Sequence, residues 1–368
     1  MNPNKAEYCS FSSAEFLAEC QDEKLLDDEK LTEQNFALNS ALSQIAIEFG
    51  KDSMLSMQRF YGSRYAPTVP TGSLKLDHAL GIGGLPKGRI VEIYGKEASG
   101  KTTLGLHIIK EAQKLGGYCA YLNVENALDQ SFAESIGVDT DNLLVVRPNS
   151  AENLFSITDT LSRSGSIAVI VVDSVAALLP KCELDDPTIG NCIEVQSHLM
   201  IQALRKIQFS LPESQTLVVF INQIRSRPHR DFGFTAEEIT SGGFALKFYA
   251  AVRVRLSRTG LLINDDNEVD GISFSAEIMK NKLTSAPKKK VELELRFGRG
   301  IPCEADVLEM ACKHGLIDRV GNGSYRIGGE YFQNKQETEN YLAENDEVRD
   351  NLIKELRTQM FEAEFLCR

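Results

Sequence analysis

The chain has 368 residues, 42% apolar and 25% charged, with 52 Asp and Glu against 40 Lys and Arg for a net charge of −12. That length suffices for one large domain and one or two small ones, each with its own core. No apolar run approaches the roughly 18 residues of a spanning helix, so no membrane partner is expected, and the negative balance excludes a uniformly basic DNA-coating exterior while leaving room for a local basic groove.

In chain order, residues 1–33 are polar and weakly patterned and are expected to form an acidic flexible extension. The first 34 residues hold nine acids and three bases, so an organelle presequence is not expected in the sequence as it stands. Residues 34–66 are expected to hold an N-terminal helix and a linker, because Leu38, Leu42, Ile45 and Phe49 recur at helical spacing ahead of Gly50. One such helix cannot bury its stripe alone, so it must dock on its own core or on a neighbouring subunit.

Residues 67–303 alternate β-rich runs (90–94, 119–124, 143–146, 168–172 and 216–221) with helical patterns at 104–115, 151–163 and 194–209. Such alternation predicts an α/β core with a mostly parallel central sheet covered on both faces. Strand-like segments at 250–256, 273–279 and 291–297 follow without long helices between them, which predicts antiparallel or mixed strands. Residues 304–368 read as a small α+β C-terminal domain: a helix at 305–314, a hairpin through Gly328-Gly329, then helices at 336–344 and 346–364. The eight cysteines, at 9, 20, 119, 182, 192, 303, 312 and 367, show no C-x-x-C spacing and are expected to be reduced thiols in a reducing compartment.

Within the core, GKEASGKTT at 95–103 follows an apolar strand and opens a helix, the context a P-loop requires. Gly95, Lys96, Glu97, Ala98, Ser99, Gly100, Lys101, Thr102 and Thr103 would cradle a polyphosphate with backbone N–H groups at a helix start. Lys101 would reach the terminal phosphates, and the Thr102 hydroxyl would help to hold Mg²⁺. Asp173 ends the apolar run Val169–Val172 and would face the same ion; its rival reading is a capping aspartate on a buried strand. Glu125, at the end of another strand, is placed to polarise a water for in-line attack, with a capping or salt-bridge role as the rival. Asn222-Gln223 closes the strand 216–221 where an amide can sense the terminal phosphate. The polar loop Ile224–Gly243 then mixes Arg225, Arg227, His229 and Arg230 with Phe232 and Phe234. Cations for phosphates and rings for bases suit a single strand, although an ordinary solvated loop has the same composition.

These stretches, together with VIVVDSVAAL at 169–178, FINQIR at 220–225, GGFALKFYAAVR at 242–253 and KNK at 280–282, resemble the RecA recombinases in order and spacing, and the wording around the P-loop resembles their plant organellar branch. The resemblance covers about residues 36–345. It implies a P-loop NTPase core and a single-stranded-DNA-dependent ATPase that forms helical filaments. Such a filament pairs single-stranded DNA with homologous duplex, using ATP and Mg²⁺. Carried over residue by residue, it implies catalytic roles for Lys101, Glu125 and Gln223, and adenine contacts for Asp129 and Phe132. Lys280 and Lys282 would reach the ATP of the adjacent subunit, and Phe248 would lie at the subunit interface. DNA contacts would come from Ile193, Arg205, Arg225, Arg227, Arg230, Phe232, Gly242 and Gly243. The resemblance also implies a mitochondrion or plastid, with a bacterial cytoplasm as the alternative.

Several positions depart from the family pattern. Ile193 stands for a methionine, His198 for an arginine, Lys96 for a proline, Asn123 for an acid, Phe132 for a tyrosine and Phe244 for an asparagine, and the second DNA loop is longer, with Pro228 and Asp231 inside it. They keep a second expectation open: a degenerate paralogue that binds ATP and single-stranded DNA and modulates repair without efficient strand exchange.

Overall fold

The computed structural model describes residues 36–41, 43–45, 47–48, 67–126, 128–185, 192–227, 237–264, 267–284, 289–321 and 323–362. The chain divides into two units, residues 1–65 and 66–368. In the first unit the described residues are helical, and Ser43 donates to the carbonyl of Asn39 one turn back. Leu38 and Ile45 of the expected stripe are exposed. Leu42 and Phe49, and the linker at 51–66, lie outside the described residues.

The second unit opens with β1 (Thr68–Val69) paired to β2 (Leu85–Pro86) around α1 (Leu74–Leu80). Ser73 caps α1 by accepting from the Leu76 N–H, and Gly81 ends it in the left-handed conformation. There follow β3 (Ile90–Gly95), α2 (Lys101–Lys114), β4 (Tyr118–Asn123), α3 (Gln130–Ile136), β5 (Leu143–Val146), α4 (Ala151–Arg163) and β6 (Ile167–Asp173). Beyond these come α5 (Lys181–Asp185), α6 (Cys192–Ser214), β7 (Leu217–Arg227), β8 (Glu237–Thr240), α7 (Ala245–Tyr249), β9 (Val252–Ile263), β10 (Val269–Asn281) and β11 (Lys290–Arg296). The sheet order is β11-β10-β9-β3-β7-β6-β4-β5, with β8 paired to β7. The pairs from β9 through β5 are parallel, and β9-β10-β11 are antiparallel, as the missing crossover helices predict.

The apolar runs are continuous because the sheet is covered on both faces. Successive side chains go to opposite layers. Val91, Ile93, Tyr121, Val169, Val171, Val219 and Ile221 pack with Leu104, Ile108 and Ile109 of α2, whereas Ile90, Leu122, Ile170, Val172, Val218 and Phe220 pack with Leu154 of α4 and Leu204 and Ile207 of α6. This period-two split places the phosphate loop and α2 on one face and α6 on the other.

The boundary of β7 differs from expectation. The strand expected at 216–221 runs on to Arg227, and β8 pairs back on it with Ile224 opposite Thr240 and Arg227 opposite Glu237. Both ends of the expected loop are therefore a two-stranded ribbon. Beyond the sheet, α8 (Cys303–Lys313), β12 (Asp318–Val320), β13 (Ser324–Ile327), β14 (Glu330–Phe332), α9 (Lys335–Glu344) and α10 (Asp346–Arg357) enclose a separate apolar cluster of Val307, Leu308, Tyr325, Phe332, Leu342 and Leu356. Arg357 joins it to α1 by bonding Asp77 at 2.9 Å and the carbonyl of Gly83.

Candidate functional site

Parallel pairing brings the carboxyl ends of the strands level. Tyr94 and Gly95 of β3 lie opposite Asn222 and Gln223 of β7, and Asn123 of β4 lies opposite Asp173 of β6. In an open parallel sheet that rim is where ligands bind. The loop from β3 to α2 closes on Gly100, whose φ of +84° caps α2 with no side chain in the way. Lys96, Glu97 and Ala98 are exposed, Ser99 and Thr103 are buried, and the Lys101 ammonium turns back to donate to the Lys96 carbonyl at 2.6 Å. Ser99 Oγ donates to that same carbonyl at 2.8 Å. The Lys101 side chain thus lies along the loop, where an incoming phosphate can take over its proton donors.

The two residues expected to hold a metal lie together. Thr102 Oγ1 donates to Asp173 Oδ2 at 2.7 Å, and the Asp173–Ser174 peptide is cis. Glu125 Oε1 accepts from Gln223 Nε2 at 3.0 Å and from the Ser174 hydroxyl. Lys101, Thr102, Asp173, Glu125 and Gln223, spread over more than a hundred residues of sequence, therefore meet at one rim. Burial pushes the Asp173 carboxyl up and the Lys101 ammonium down from their ordinary values; the Thr102 and Tyr121 hydrogen bonds oppose the first shift, and the Asp173 charge opposes the second. Among the described residues no three His, Cys, Asp or Glu side chains gather into a self-sufficient metal cage. A hydroxyl and one carboxylate, both hard oxygen donors, fit a Mg²⁺ ion that arrives with phosphates and water.

Sequence reasoning missed two groups here. Tyr121 OH donates to Asp173 Oδ2 at 2.7 Å, and burial together with the Asp173 charge raises its pKa, so it remains a neutral donor. Ser174 supports Glu125. A tyrosine inside an otherwise apolar strand needs a partner for its hydroxyl, and that was the available signal. Behind Asn222 lies a buried ion pair: Arg253 Nε bonds Glu92 Oε2 at 2.5 Å, with the guanidinium 4.5 Å from the Tyr94 ring centroid. Asn222 Nδ2 bonds both Glu92 Oε1 and the carbonyl of Ser241 at 3.0 Å. Removing one member would strand a buried charge, a loss of about 3–5 kcal/mol.

Residues 36–302 match the family model described as RecA N-terminal domain. The chain belongs to the RecA family. It is 46% identical over 334 residues to "DNA repair protein recA homolog 3, mitochondrial" of Arabidopsis thaliana, covering 90% of this chain and 77% of that one. It is 44% identical over 331 residues to Protein RecA of Acidiphilium cryptum, covering 89% of this chain and 94% of that one. To Protein RecA of Brucella anthropi it is 45% identical over 336 residues, covering 90% and 91%. The α/β architecture above is that of the family, and with membership comes the family's recombinase role in DNA recombination and repair.

The remaining expected positions of this RecA-family chain are not all drawn to the rim. Asp129 caps α3, accepting from the Ser131 N–H at 2.9 Å and its hydroxyl at 2.7 Å, and Phe132 is partly buried against the core. Lys280 donates to the carbonyls of Lys247 and Phe248 at 2.7 and 3.0 Å, and Lys282 to that of Phe248 at 3.3 Å. They stand at the end of β10, beside the exposed Phe248 ring, and burial first, then Lys282 and Arg253, pushes Lys280 down to about 8. Arg205 is exposed on α6, and His198, also exposed, bonds Gln202 at 2.9 Å. Ile193 falls in the first turn of α6, and Arg225 and Arg227 fall on β7. Arg230 and Phe232 lie outside the described residues. Gly242 and Gly243 turn with φ of +81° and +72° against α6, where a Cβ on Gly242 would come within 2.7 Å of Met200 Cε. The Gly242-Gly243 turn and α6 are thus in contact.

Proposed function

We propose that this chain is a single-stranded-DNA-dependent ATPase that assembles with ATP into a helical filament on single-stranded DNA and pairs it with homologous duplex. The observation that carries the reading is the meeting of Lys101, Thr102, Asp173, Glu125 and Gln223 at one rim of the sheet. Lys101 and the loop 95–103 bind the phosphates, and Thr102 with Asp173 holds Mg²⁺, which would neutralise charge on them. Glu125, held by Gln223 and Ser174, orients the attacking water and takes its proton. Gln223 touches Glu125 and lies on β7, the strand that leads into the DNA loop and pairs with β8, so the state of the terminal phosphate and the posture of the loop are linked. Lys280 and Lys282 face the nucleotide of the next protomer, and Phe248 and the helix at 36–48 contribute to that junction. DNA is held through Ile193, Arg205, Arg225, Arg227, Arg230, Phe232, Gly242 and Gly243, without reading base edges, so binding falls steeply with salt.

Four free cysteines among the described residues suit a reducing compartment, and the likeness to a relative named as mitochondrial favours an organelle, mitochondrion or plastid, over a bacterial cytoplasm. Among the described residues no helix is long and apolar enough to cross a membrane. The second reading, a paralogue that modulates repair without efficient exchange, is favoured by His198, which replaces a cation on the DNA-facing helix. Turnover of ATP measured with and without single-stranded DNA, alongside an exchange assay, decides. Stimulated turnover with exchange supports the recombinase, stimulated turnover without exchange supports the paralogue, and unstimulated turnover by a monomer overturns both.

A further inference from the structure

One buried hydroxyl at the rim has no part in the reaction as written. Tyr121 is 1% exposed and sits in the middle of β4, opposite Val171 of β6, while Asn123 lies opposite Asp173. Residues two apart on a strand share a face, so Tyr121 and Asp173 project to the same side as diagonal neighbours, a separation that a long aromatic side chain spans. Its hydroxyl meets Asp173 Oδ2 at 2.7 Å, the oxygen that also accepts from Thr102 Oγ1 at 2.7 Å. Both donors take the same oxygen, and Oδ1 is left for the ion that accompanies the nucleotide.

The two donors differ in what else they do. Thr102 belongs to the phosphate loop and is itself proposed to hold Mg²⁺, so its hydroxyl is shared between two tasks. Tyr121 is anchored in the apolar layer with Val169, Val171 and Ile221 and has one task, whatever the state of the loop. Groups of this kind, outside the ligand sphere but bonded to a ligand, fix its orientation, and their loss typically lowers metal affinity 10- to 100-fold.

We propose that Tyr121 is a positioning residue that holds the Asp173 carboxylate toward Mg²⁺, so that this chain's affinity for the metal–nucleotide complex depends on a phenol in the strand beside the metal-bearing one. This deepens the ATP-site reading above and rests on it.

The test uses the full chain and a fluorescent ATP analogue, titrated once with excess chelator and then across a range of Mg²⁺. Tyr121→Phe removes one oxygen and preserves the buried volume. Its metal-free affinity for the analogue should equal that of the wild type, while the Mg²⁺ concentration for half-maximal binding should rise about tenfold. Asp173→Asn should raise that concentration at least as far, and the double variant no further than Asp173→Asn alone, because Tyr121 acts through that carboxylate. An unchanged Mg²⁺ requirement in Tyr121→Phe overturns the proposal. So does a metal-free affinity that falls along with it, which makes the residue a packing element, and so does additivity in the double variant. A wild-type chain that binds the analogue without any response to Mg²⁺ sinks the nucleotide reading itself, an outcome distinct from a responsive wild type with a silent Tyr121→Phe.

Discussion

The rim of the parallel sheet and the far end of β10 are both lined with charge, and they are satisfied in opposite ways. At the rim, Asp173 is met by Thr102 and Tyr121, and Glu125 by Gln223 and Ser174, side chain to side chain within one chain. At β10, Lys280 and Lys282 rest on main-chain carbonyls of α7, and burial first, then the neighbouring Lys282 charge, makes Lys280 hold its proton less tightly than an ordinary lysine. The first region is a network closed by side chains of one chain. The second presents two neighbouring ammonium groups held by main-chain carbonyls.

The sharpest way to break this contrast is at the rim. Lys101→Ala should abolish nucleotide-dependent filaments, and normal extended filaments with ATP by electron microscopy would remove the phosphate loop from the mechanism. Glu125→Gln leaves the binding groups in place, so ATP and DNA should still be held while turnover falls on the order of a hundredfold. The reverse pattern, weak binding with normal turnover of what is bound, would contradict the role given to Glu125. At the other region, Lys280→Ala with Lys282→Ala should leave nucleotide binding by the unassembled chain intact and slow hydrolysis in the assembled state about tenfold, the worth of one charge-assisted contact to phosphate. Equal losses in both states would make these lysines part of their own chain's pocket.

The smallest effect is a pH slope. Lys280 is lowered from 10.5 to about 8, chiefly by burial. In that window the unfolded chain binds the proton that the folded chain releases, so this residue makes stability rise with pH between about 8 and 10.5 and contributes no slope below. The lysine is only partly buried and is screened by solvent, so the difference is modest. Denaturant midpoints of Lys280→Met against the wild type across that range measure it, and identical slopes would show a freely solvated lysine.

The sheet and its rim were legible in the sequence because their signals are local. Runs such as Val169–Val172 ending in Asp173, and Cys119–Val124 ending in Glu125, carry both the strand and the chemistry that its end presents. What could not be read is what depends on register between distant segments. Tyr121 looks like apolar bulk until β4 is set beside β6. Glu92 is a lone acid in an apolar strand until Arg253 arrives on β9, the neighbour of β3. The loop 224–243 looked unstructured because its pairing partner is its own far end, and neither half is apolar enough to mark a strand.

The placement of β7 has one last consequence. It lies between β3 and β6, its amide Asn222 is tied to the carbonyl of Ser241 across the ribbon, and its next residue touches Glu125. β3 pairs with β7 as far as Gln223, β8 pairs with it from Ile224 onward, and Asn222 crosslinks it to Ser241, so Gln223 sits where the sheet passes into the ribbon. On the function proposed above, Gln223 and the strand that pairs back on it would answer to the terminal phosphate together, because both belong to one hydrogen-bonded ribbon.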